Sequence, residues 1–351
     1  MATWSRRWTA DPTPRRSRWR GRLLALALFG FSPFVGEFVL GNQPITAIAW
    51  VLVLATMYGG GAVLIREVVR RTRGGWPVIV LLGAAYALVE EGIVDQMLFN
   101  PGYLGLPSFD GYAPVPGLGM SAGLTEGSLM LHTVWSISVP IAVIEAFDRD
   151  APRPWLGRPG LAVVGGVFVV GCAGLTAMQY EEFRFLASPV QLGVLVAAVV
   201  ALVAAAVAVA LRRNRSAADA GGRRAPRPWL VAVVAFALSG GYWAIEFAVP
   251  PFAGAWGVLP CVAVWVAASL VLLARYSRRP GWSATHVFAV GAGLLLTYVW
   301  VGFVQAASLP VSRPVALLGN VVCGVVAILV LRLAARVRRR ADARTPAPAR
   351  V

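Results

Sequence analysis

Lysine is absent from this chain: the 32 cationic residues among 351 are all arginine, set against only 16 acidic ones. Charged residues make up 14% of the sequence and hydrophobic residues 58%. A water-soluble domain carries roughly a quarter of its residues as charged groups, so that class is excluded. The apolar residues do not alternate with polar ones at period two, which excludes a membrane β-barrel. Cysteine is scarce. Cys172, Cys261 and Cys323 each fall inside an apolar run without CxxC spacing, which excludes a disulfide framework and a cysteine zinc site. Tyr58-Gly59-Gly60-Gly61 lacks the lysine of a phosphate loop, so its glycines are expected to allow close helix contact instead. The net charge of +16 raises the question of nucleic acid. No basic stripe interleaved with aromatics is present for base stacking, so no nucleic-acid partner is expected.

What is present is a series of apolar blocks about 20 residues long, each able to cross a hydrocarbon core as a helix. The reading is an all-α, polytopic transmembrane helix bundle of about ten spans. They are placed at 23–41, 45–65, 77–99, 125–147, 160–178, 190–211, 229–249, 256–274, 284–304 and 315–335. Arginine placement gives an independent check. Loop 66–76 holds Arg66, Arg70, Arg71 and Arg73, and loops 148–159, 212–228 and 275–283 are similarly basic. The alternate loops hold only Arg184 and Arg313. That alternation predicts both termini on the cytoplasmic side of a cell membrane of the bacterial inner-membrane type. The expected organisation is a disordered basic tail at 1–21, an acidic and His-containing four-helix core at 22–148, a six-helix apolar region at 149–337 and a second basic tail at 338–351. Loop 100–123, rich in Pro, Gly and aromatics, is expected to fold as a cap or re-entrant segment.

Ionisable residues inside a bilayer are costly and mark functional sites by default. The third span carries the densest set: Tyr86, Glu90, Glu91 and Asp95. On an α-helix Glu91 and Asp95 share a face, and Glu90 is turned about 100° from Glu91. At 1.5 Å per residue, Glu90 and Glu91 lie about 20 Å from the arginine-rich end of their span, and His132 lies about 10–12 Å below the other end of the fourth. Glu37 falls at the same height, so four ionisable groups on three helices occupy one layer. Crowded carboxyls in low dielectric should leave at least one protonated beside a base. Such a set can activate water with His132 as partner, relay protons, or, since Glu and His are zinc ligands, hold a metal. Pro33 and Gly36 beside Glu37 point to an irregular helix there. Glu67 with Arg66 and Arg70, and Glu145, are expected to form an interfacial salt network. Glu246 reads as an interface anchor or a border of the cavity, and His286 as structural.

Glu90-Glu91 on one membrane helix followed by His132 on the next resembles the glutamic intramembrane proteases of the CAAX-protease and bacteriocin-processing type, which show EExxxR, FxxxH and HxxxN/D. Asp95, Ser128 and Ser136 stand at the Arg, Phe and Asn/Asp positions of those motifs. Arg66-Glu67-x-x-Arg70, then Ala87-Leu-Val-Glu90-Glu91, then His132-x-x-Trp135-Ser136 is similar to the PrsW-type proteases. The resemblance covers residues 66–136. It implies a metal-independent, glutamic-type peptidase with Glu90, Glu91 and His132 as catalytic residues and Glu37, Asp95, Ser136 and Tyr86 as cavity supports. Its partners would be the lipid bilayer and a membrane-embedded peptide or lipid-like substrate. The residues alone leave a proton-coupled transporter and a non-catalytic membrane scaffold open as alternatives.

Overall fold

The computed structural model describes residues 15–148, 153–213 and 223–343. Within them the chain is an all-α bundle with ten helices long and apolar enough to cross a membrane. These are Trp19–Val39, Ile45–Thr72, Trp76–Val94, Ala122–Glu145, Arg158–Phe183, Pro189–Arg212, Pro228–Ala248, Phe252–Ser277, Ala284–Ser308 and Arg313–Asp342, called here the first to tenth spans. Pro159, Pro228 and Pro314 stand in the first turn of the fifth, seventh and tenth spans, where a missing N–H breaks no helical bond. The expectations for residues 1–14, Arg149, Arg215, Arg344 and Arg350 lie outside the described residues. Elsewhere the helices run further than hydropathy alone places them. The first helix begins at Arg15, inside the segment expected to be a disordered tail, and the last continues to Asp342.

The first four spans and the ninth form the packed centre. The first leans on the second and fourth, and the fourth packs against the third and ninth. Trp135 of the fourth span donates its ring N–H to the Leu294 carbonyl (2.9 Å) and stacks on Tyr298 at 4.5 Å. The ninth span therefore packs across the division placed at residue 149. The Ser239 and Thr297 hydroxyls (2.5 Å) link the seventh span to the ninth, and the Asn320 amide donates to the Gly302 carbonyl (2.8 Å) from the tenth. The fifth, sixth and eighth spans are peripheral: 6% of the fifth span's most apolar window is buried against 67% of the fourth's. Their exposed Val, Leu and Phe side chains suit contact with lipid tails.

Residues 66–72, expected in a loop, are the last turns of the second span. Arg66 and Glu67 are fully buried within the bundle and form the expected salt network with Arg70 and Glu145. The burial is possible because every charge is paired. Glu67 accepts from Arg66 (2.5 Å), Arg71 (2.6 Å) and the backbone N–H groups of Trp155 (2.8 Å) and Leu156 (3.1 Å). Glu145 accepts from Arg66 (2.9 Å) and from both Nε and Nη2 of Arg70 (2.7 and 2.6 Å). Arg20 reaches the Phe147 carbonyl at 2.6 Å.

At the opposite end, residues 100–121 do fold as a cap. It holds a short 3-10 turn, Pro101–Leu104, and a two-residue hairpin pairing Pro114 with Ser121 and Val115 with Met120. Ser121 then caps the fourth span by accepting from the Leu124 N–H (2.9 Å). Gln191 of the sixth span ties the cap down by donating to the Leu118 carbonyl (2.8 Å).

Candidate functional site

Three π-helical segments lie in the packed centre: Phe34–Val39, Val89–Val94 and Leu131–Ser138. Each carries part of the ionisable layer: Glu37, then Glu90 and Glu91, then His132. Bonds from residue i+5 close them, Asn42 N–H to Glu37 O and Asp95 N–H to Glu90 O, both 2.9 Å, and Val139 N–H to Val134 O. Such turns are rare, and they cluster at functional sites because they re-aim side chains. Proline supplies two local causes. Pro140 has no N–H to offer the Ser136 carbonyl, and Ser32 of the first span donates to it instead (2.5 Å). Pro33 leaves the Phe29 carbonyl without its helical donor, and the backbone of Gly59 packs directly on that carbonyl.

The wider turns bring the layer together. His132 Nε2 lies 2.7 Å from Glu91 Oε1, and Nδ1 lies 2.8 Å from Glu90 Oε2. The Glu90 approach is an ion-pair distance without hydrogen-bond alignment; the aligned contact of Nδ1 is the Ser136 hydroxyl at 3.2 Å. Glu37 joins at one remove. Its Oε1 accepts a 2.5 Å hydrogen bond from the Tyr58 hydroxyl, and the Tyr58 ring lies 5.7 Å from the imidazole. The Tyr86 ring stands 6.4 Å from the imidazole on another side. Glu90, Glu91, His132, Ser136, Tyr58 and Tyr86 are all buried.

Several polar atoms here have no hydrogen-bond partner among the described residues: both Glu90 oxygens, Glu91 Oε2 and the Tyr86 hydroxyl. Buried donors and acceptors left open are costly. The arrangement is therefore suited to receiving a polar molecule, such as water or a carbonyl group. Both imidazole nitrogens already face carboxyls, so neither aims with the glutamates at a common point. Among the described residues no three His, Cys, Asp or Glu groups converge to hold a metal ion.

Among the described residues the Asp95 carboxyl makes no hydrogen bond to Glu90, Glu91 or His132, although their charges reach it. Asp95 lies one residue past the third span and lines a notch with Gln96, Asn100, Gln179 and Tyr180. The Tyr103 hydroxyl approaches its Oδ2 at 3.5 Å. Burial, then the charges of Glu91 and Glu90, push the Asp95 carboxyl well above the usual carboxylate range.

Reasoning from sequence passed over Tyr58, Ser32 and Glu126. A tyrosine eight residues before a buried arginine carries no distinctive pattern, although its neighbouring glycines do. Glu126, in the second turn of the fourth span, faces Glu246 of the seventh beside Tyr242. Glu246 thus belongs to a second acidic pair rather than to the His132 cluster. Trp135, packed on Tyr242, Trp243 and Tyr298, belongs to the aromatic group beside that pair. His286 is structural: Nδ1 accepts from the Ser283 N–H (3.1 Å), and Nε2 donates to the Pro226 carbonyl (2.9 Å).

No family model, curated protein or solved structure matches the chain.

Proposed function

We propose that this multi-pass membrane protein is a glutamic-type intramembrane hydrolase. Its substrate would be a membrane-embedded peptide or a lipid-like molecule. The observation that carries the reading is the set of π turns that gathers Glu90, Glu91 and His132 in a buried layer while leaving carboxyl oxygens without an aligned hydrogen bond. An open carboxylate beside an imidazole has the parts for general acid–base activation of water. In this reading Glu90 holds and deprotonates the water. Glu91 fixes the His132 ring through Nε2, and Ser136 fixes it through Nδ1. The resemblance to glutamic intramembrane proteases favours the same assignment. The arginine-rich face is assigned to the cytoplasm of a bacterial inner-membrane-type bilayer, which puts the cluster in the outer half of the membrane.

Proton-coupled transport is the competing reading, favoured by the Tyr58–Glu37 hydrogen bond beside His132. The test is purified protein in proteoliposomes supplied with single-span peptides bearing a fluorophore and quencher on either side of the span. Cleavage that is lost in Glu90→Gln, Glu91→Gln and His132→Ala, with folding retained, supports the hydrolase. Proton flux lost in the glutamate variants without any cleavage supports transport. Parent-like behaviour of all three variants in both assays removes both readings and leaves the cluster structural.

A further inference from the structure

We infer that Tyr86 supplies the hydrogen bond that stabilises the oxyanion formed when this site hydrolyses a carbonyl substrate; the inference rests on the hydrolase reading above. The Tyr86 ring is buried, and its hydroxyl has no hydrogen-bond partner among the described residues. It lies beside Glu90, whose Oε2 pairs with His132 Nδ1 (2.8 Å) and whose two oxygens accept no aligned hydrogen bond among the described residues. A donor and an acceptor buried side by side, with no aligned hydrogen bond between them, leave a place for a third polar group. A scissile carbonyl fills it, with its oxygen on the Tyr86 hydroxyl and the attacking water on Glu90.

The ring is held for this task. On one side it packs so closely on Gly61 of the second span that a Cβ there would run into its edge. On the other it meets Phe168 of the fifth span at 6.4 Å, and the Tyr58 ring closes a third side at 6.4 Å. A donor fixed before the reaction costs no reorganisation when charge develops, and this is the origin of oxyanion-hole catalysis.

The step balances as follows. The water oxygen bonds to the carbonyl carbon, its proton passes to Glu90, and the carbonyl π pair moves to the oxygen that Tyr86 holds. On collapse the carbonyl re-forms, the bond to the leaving nitrogen or oxygen breaks, and the proton from Glu90 passes to that leaving group. No other co-reactant is needed.

Tyr86→Phe tests this with two readouts in the proteoliposome peptide assay and in thermal unfolding. Removing a hydroxyl that bonds nothing within the protein should leave the melting temperature unchanged or higher. It should also lower kcat by about 10²–10³-fold with KM within about twofold, since the bond forms only in the transition state. Thr133→Val, which removes another buried unpartnered hydroxyl, should cleave like the parent. If Tyr86→Phe cleaves at the parent rate, the inference is overturned and the hydrolase reading stands. A melting temperature lowered by more than about 3 °C means the hydroxyl is bonded within the protein, which overturns the inference whatever the activity. If the parent cleaves no peptide, the hydrolase reading falls and the inference with it. Gly61→Ala, which displaces the ring and keeps the hydroxyl, should lower kcat in the same direction; a Gly61→Ala protein with parent kcat counts against the assignment if Tyr86→Phe does not fold.

Discussion

The guanidinium of Arg66 lies 3.3 Å above the Trp155 ring, and the backbone N–H of Trp155 donates to Glu67, the residue that follows Arg66 (2.8 Å). A cation stacked on an aromatic face and fixed by two carboxylates can be fully buried because its hydration is replaced by partners. The segment after the fourth span is thereby bound to the end of the second.

Arg66→Met should destabilise the protein by about 3–5 kcal/mol, because it leaves Glu67 and Glu145 buried with fewer partners. Arg70→Met should cost less, since Glu145 keeps Arg66 and Arg70 lies nearer the surface. Thermal or denaturant unfolding in one detergent would rank the two. Equal losses would show that the network does not centre on Arg66.

The three glycines at 59–61 should respond differently to alanine. Gly59→Ala drives a methyl into the Phe29 carbonyl, which is backbone and cannot rotate away. Overpacking of that kind costs about 1–3 kcal/mol, more than the gain in helix propensity of up to about 1 kcal/mol. Gly60→Ala meets the Phe168 Cβ at 3.0 Å, a contact relieved if the peripheral fifth span gives by a few tenths of an ångström. Melting temperatures should fall for Gly59→Ala and stay close to the parent for Gly60→Ala.

Asp95 should make stability depend on pH. Its folded-state pKa is raised by burial, then by Glu91 and Glu90, so the folded protein holds this proton more tightly than the unfolded chain. The contribution is complete below the unfolded value of about 3.9 and is lost as pH rises through the folded value. Asp95→Asn cannot ionise and should lose less stability than the parent as pH is raised from 4 upward. Unfolding curves of the two proteins across that range check the sign. A parent that becomes more stable than the variant with rising pH would refute it.

Reporter fusions test the orientation. Ten spans are an even number, so both ends must lie on one face, and the arginines assign that face to the cytoplasm. A reporter active only outside the cytoplasm should be silent at both ends and active when inserted in the cap near Gly111, where the backbone is exposed. Activity at a single terminus would mean an odd number of crossings.

The spans were legible in the sequence because lipid imposes a length on every crossing helix, and a run of apolar residues records that length directly. The shared height of Glu37, Glu90, Glu91 and His132 was legible for the same reason, since a fixed rise per residue converts position into depth. The packing of the glycines at 59–61 and the folded cap were also visible in composition. Tertiary structure alone decided which way the side chains point within that layer. The π turns depend on partners far away in sequence: the Ser136 carbonyl freed by Pro140 is satisfied by Ser32, 104 residues earlier. Only with such partners in place does the wider turn persist and set His132 between two carboxyls. The burial of Arg66 and the entry of the ninth span into the centre follow the same rule. Hydropathy is a property of each segment by itself, whereas a paired charge or a stacked ring exists only between segments that the fold has brought together.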